Sequence, residues 1–90
     1  MEDAVPETLF EFPCDFPIKV MGRNQDDFCR FVFDLVLRHA PELQEEALDS
    51  RLSGSGNYLS ITVNLWAQSK AQVDAIYQEL SSEPRVLMAL

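Results

Sequence analysis

The stretch Asn57-Tyr58-Leu59-Ser60-Ile61-Thr62-Val63-Asn64-Leu65-Trp66 decides the fold. Leu59, Ile61, Val63 and Leu65 alternate with Tyr58, Ser60, Thr62, Asn64 and Trp66, the period-two pattern of a strand with one face on a core and the other on something wetter. Gly54-Ser55-Gly56-Asn57, just before it, is a concentrated turn signal in which Gly and Asn supply left-handed backbone positions. Ala47 to Ser53 reads as a weaker strand on the far side of that turn, so the two form a hairpin. The glycines do not make a phosphate-cradling loop, because such a loop leads from a strand into a helix and this one leads into a strand.

Toward the N-terminus, Phe16, Ile18 and Val20 alternate with Pro17, Lys19 and Met21, a half-buried strand ended by Gly22. Asn24 is the expected cap of a following helix, with Asp26 and Asp27 at the positive end of its dipole. Phe28, Phe31, Val32, Leu35 and Val36 fall at i, i+3, i+4, i+7 and i+8 and build one apolar face that must be buried. Asp26 with Arg30 and Asp34 with Arg38 are acid-before-base pairs on the outer side, and Pro41 stops the helix near Ala40. Pro41 to Glu46 reads as a loop. Toward the C-terminus, Ser69 and Gln72 form a capping box, and Val73, Ile76, Tyr77 and Leu80 continue at helical spacing. Pro84 ends that helix, and Arg85 to Leu90 supplies a last strand.

The order is βαββαβ. Two helices that each bury one stripe, and a sheet apolar on one side, are satisfied when both helices pack on one face of a four-stranded antiparallel sheet. This is the ferredoxin-like α+β sandwich, with the first and third strands central. Residues 1–15 form an extended leader, frayed over its first seven residues, whose Leu9, Phe10 and Phe12 tuck against the domain; residues 16–90 form one ferredoxin-like domain. The open face displays Lys19, Met21, Tyr58, Ser60, Thr62, Asn64 and Trp66, joined by Leu87 and Ala89.

Composition narrows the function classes. Fifteen Asp and Glu against seven Lys and Arg in 90 residues give a net charge of −8, and the basic residues are scattered from Lys19 to Arg85. Neither nucleic acid nor an anionic membrane is an expected partner. Glu2, Asp3 and Glu7 stand where a signal peptide carries basic residues, and the apolar run Val86 to Leu90 is far short of a span. With two cysteines, Cys14 and Cys29, at no metal or redox spacing, a cytoplasmic protein with reduced thiols is expected. Cys29 reads as a packing residue and Cys14 as an exposed thiol.

The residues Phe10-Glu11-Phe12-Pro13, Phe16, Lys19-Val20-Met21-Gly22, Arg38-His39-Ala40-Pro41, Ser55-Gly56-Asn57-Tyr58 and Ile76-Tyr77-Gln78-Glu79-Leu80 resemble, in that order, the YbeD-like family of small bacterial proteins. The resemblance covers about residues 8–90, with Met1 to Glu7 and Cys14 outside its pattern. It implies a ferredoxin-like fold similar to ACT-type regulatory domains that bind amino acids, and it implies no established activity.

No constellation for catalysis emerges. His39, the single histidine, reads as a helix-end residue, since neither cysteine has a context that makes His39 its base. Asp26, Asp27, Asp34, Glu42, Glu45, Glu46 and Asp49 lack the spacing of a calcium loop and read as a solvated acidic face. No catalytic residue, cofactor or metal is expected. The expected function is a non-enzymatic regulatory or protein-interaction module, with a protein partner or self-association through the sheet face or edge, and ACT-like sensing of a small metabolite within its scope. Two alternatives stand beside it: a small enzyme whose site forms between subunits, with His39 or a carboxylate as proton carrier, and a structural subunit of a larger assembly.

Overall fold

A computed structural model describes residues 11–90 of the chain, so the expectations for Met1 to Glu7, Leu9 and Phe10 lie outside the described residues. The elements are β1 (Cys14–Arg23), α1 (Phe28–Leu37), β2 (Leu48–Leu52), β3 (Tyr58–Ala67), α2 (Lys70–Ser82) and β4 (Val86–Ala89), with a short 3-10 turn at Glu45–Ala47 in the expected loop. The four strands form one antiparallel sheet in the order β2-β3-β1-β4. The central strands β1 and β3 run antiparallel in register from Cys14 opposite Ala67 to Arg23 opposite Tyr58.

Side chains that point to the helices make the core. Ile18 and Val20 of β1, with Ile61, Val63 and Leu65 of β3, lie under Phe28, Val32, Leu35 and Val36 of α1 and Val73, Ile76 and Leu80 of α2. Burying aliphatic and aromatic side chains of this size stabilises the fold by about 1.5–3 kcal/mol each. Phe12 and Phe16 pack against the same cluster, so Phe12 lies on the helix side and does not cover the open face.

Four local expectations need correction. Asn24 does not cap α1: the helix begins after Asp27, and the Asn24 side chain donates instead to the carbonyl of Gly56 at 3.0 Å, tying the β1–α1 loop to the hairpin turn. Arg30 and Arg38 leave the expected acid-before-base register: Arg30 bonds Asp34 and Glu45, and Arg38 bonds Glu79. In the hairpin only Gly56 takes the left-handed backbone (φ 78°), whereas Asn57 does not. Cys14 lies in β1 beside Ala67 and is half-buried, because β1 starts two residues before Phe16 and its alternation turns Cys14 inward.

β4 also departs from simple alternation. Its pairing with β1 runs Val20–Ala89 and Met21–Met88 but then Gly22–Val86, so one extra residue, Leu87, sits in a bulge. Ala89 therefore faces the helices and packs on the core, contrary to expectation, while Met88 joins Met21 on the open face. A bulge shifts the facing of every residue beyond it and leaves no mark in a six-residue apolar run.

Candidate functional site

The alternation of β1 and β3 turns Lys19, Met21, Tyr58, Ser60, Thr62, Asn64 and Trp66 away from both helices, as the sequence predicts. Register sets their neighbours. Asp49, Thr62 and Lys19 stand in one row across β2, β3 and β1, which the chain end extends through mutual backbone hydrogen bonds between Lys19 and Leu90 (2.9 and 2.8 Å). Arg51, Ser60, Met21 and Met88 make the next row. The face therefore grades from charged at the β2 edge to apolar at the β4 edge. Leu87, Met88 and Leu90 are 51%, 49% and 67% exposed, and Trp66 is 53% exposed.

At the far end of β3, Trp66 joins a groove of about 750 Å3 between the α1–β2 connection and the start of α2. Its walls include Ala40, Pro41, Leu43 and Leu65, and Glu42 and Glu46 also line it. Asn64 braces one side, its side-chain amide donating to the Ala47 carbonyl at 3.1 Å. Gln72 braces another: its amide donates to the His39 carbonyl at 2.9 Å while its oxygen accepts from the Gln68 N–H at 2.7 Å. The Ser69 hydroxyl meanwhile accepts from the Gln72 N–H, completing the cap of α2.

Sequence reasoning missed a cross-helix cluster. Glu79 on α2 accepts from His39 Nε2 at 2.6 Å and from the Arg38 guanidinium, joining the end of α1 to the middle of α2. The hydrogen bond from His39, then that from Arg38, holds the Glu79 carboxyl below its ordinary value of 4.5. His39 thus does lie past the end of α1, and what orients it is a carboxylate from the other helix. At the opposite end Arg85 bonds both oxygens of Asp27 (2.7 and 3.3 Å), which lowers the Asp27 carboxyl below its ordinary 3.8, and stacks 4.6 Å from the Phe31 ring centre. The acidic residues are dispersed, and among the described residues no group of three or more His, Cys, Asp or Glu is placed to hold a metal ion. No helix among them is long and apolar enough to cross a membrane.

A four-stranded antiparallel sheet in this order, both helices on one face, defines the ferredoxin-like α+β class. The chain itself belongs to the family described as "Protein of unknown function (DUF493)", whose model matches residues 7–90. It is 44% identical to a UPF0250 protein of Nitrosomonas europaea over 84 residues, 93% of this chain and 97% of the relative. It is 48% identical to one of Janthinobacterium sp. (strain Marseille), covering 93% and 92%, and 42% identical to one of Chromobacterium violaceum over the full length of both. A solution structure of an H. pylori protein superposes with a TM-score of 0.64, covering 99% of this chain and 98% of that one, at 14% identity. That likeness concerns the fold. The YbeD-like resemblance stands, and the family name assigns no activity.

Proposed function

We propose that this protein is a non-enzymatic cytoplasmic module that works by protein association, with the open sheet face as its contact surface. The observation that carries this reading is the apolar corner at the β4 edge, where Met21 and Met88 pair on the open face and Leu87 and Leu90 flank Met88 in sequence, each of the four more than a third exposed. Large exposed apolar groups next to polar Ser60 and Thr62 suit a protein surface better than bulk water. Met side chains adapt to irregular partners, and the short β4 edge can accept a further strand.

The test is capture of partners, or self-association read by light scattering, with wild type and a Met88→Lys/Leu90→Lys variant. Met88 and Leu90 are 49% and 67% exposed, so the fold is expected to survive. The reading predicts that the variant loses association at least about tenfold, the consequence of losing roughly 1.4 kcal/mol at a contact centre. Unchanged association in a folded variant removes this corner from the contact surface.

A further inference from the structure

The chain uses one device twice. Arg85 lies 4.6 Å from the Phe31 ring centre and pairs with Asp27; Arg30 lies 5.6 Å from the Phe33 ring centre and pairs with Asp34 and Glu45. In each, a guanidinium stacks on an aromatic face while its fork meets carboxylates. The groove beside Trp66 brings together the same residue types, an aromatic ring and carboxylates, without an arginine. Trp66 is half exposed, Glu42 and Glu46 line the groove, and Asp15 stands directly across from Trp66 on β1. These three carboxylates are exposed and make no ion pair among the described residues. The residues lining the groove include no Lys, Arg or His.

We infer that this groove receives an extended, arginine-bearing segment of a partner protein, with one guanidinium on the Trp66 ring between Glu42 and Glu46. Three features favour that occupant. Its charge complements the carboxylates, which hold a negative potential where, among the described residues, no cation lines the groove. Indole is the best aromatic platform for a cation, and Arg offers both stacking and a bidentate fork, which Lys does not. The groove volume of about 750 Å3 lies within the roughly 300–1,000 Å3 typical of ligand sites, room for several residues of extended chain. The inference rests on the association reading only for the partner being a protein; the site is at the opposite end of β3 from Tyr58.

Trp66 is the single tryptophan, so its fluorescence reports occupancy directly. The probe is a short peptide of alternating Gly and Arg, acetylated and amidated, titrated into the full chain. The comparisons are the same peptide with citrulline for Arg, and N-acetyl-arginine amide alone. Because the whole chain is acidic, variant Glu42→Gln/Glu46→Gln is set against Asp26→Asn/Glu83→Gln, which removes equal charge at the opposite ends of both helices. The expected result is a saturable change in Trp66 emission with the Arg peptide. Binding should weaken about tenfold in the groove variant, which loses both carboxylate partners of the guanidinium, and stay within twofold in the control variant. Equal weakening in both variants means diffuse attraction and overturns the site. Equal binding by the citrulline peptide overturns the guanidinium, and equal binding by the lone arginine derivative overturns the extended segment. Absence of any Trp66 response overturns the inference while leaving the Met88/Leu90 association test intact.

Discussion

Of the three glycines, Gly22 is the one with no room for a side chain. A Cβ there would lie 2.4 Å from Phe28 Cζ and 2.7 Å from the Arg85 carbonyl oxygen, because β1 passes under both the start of α1 and the start of β4. Gly22→Ala should cost about 1–3 kcal/mol, as overpacking of a tight site does, and lower the urea midpoint with an unchanged m-value. An unchanged midpoint would show that Phe28 yields freely. The hairpin offers a second comparison: Gly56, at φ 78°, should lose about 1–2 kcal/mol on substitution by Ala, whereas Gly54→Ala, with nothing within 4 Å, should stay within about 0.5 kcal/mol. Hydrogen-bonded Glu79 gives a pH signature. Its folded-state pKa lies below the ordinary 4.5, so its stabilisation is complete above that value and is lost as pH falls through the folded one. The stability gap between wild type and Glu79→Gln, followed by denaturation from pH 7 to pH 3, should therefore close only below about 4.5. A gap that persists at the acid limit would place the cluster's contribution elsewhere.

Elements were legible wherever one local rule acted alone. The alternation of Tyr58 to Trp66 and the Ser69/Gln72 cap each satisfy a rule within a few residues, and β3 and α2 follow from them. Ser69→Ala should accordingly cost about 0.5–2 kcal/mol by thermal or chemical unfolding, the usual loss for a helix cap. Asn24 failed as a cap because α1 begins only after Asp27, while the loop that holds Asn24 is tied to the hairpin turn through its side-chain N–H, a tertiary bond. The facing of Met88 and Ala89 failed because a bulge is decided by the partner strand, and Glu79 with His39 escaped notice because the two lie on different helices. The candidate face on β1 and β3 was readable because period-two alternation needs no partner. The groove was not, since it requires the 40–47 connection to fold back beside Trp66.

For the whole molecule, the two helices serve one side of the sheet and leave a face graded from charged at β2 to apolar at β4. Copies of a protein of net charge −8 repel one another, so what approaches that face must either match its apolar corner closely or carry opposite charge. The central claim is that the face is covered when the protein works. Oxidative footprinting of material purified gently from its own host, against the isolated chain, reads this at Met21 and Met88, with half-buried Tyr77 on the helix side as internal control. Labelling of Met21 and Met88 should fall several-fold in the native assembly while Tyr77 is unchanged. Equal labelling of Met21 and Met88 in both samples, or protection confined to the helix side, would contradict it.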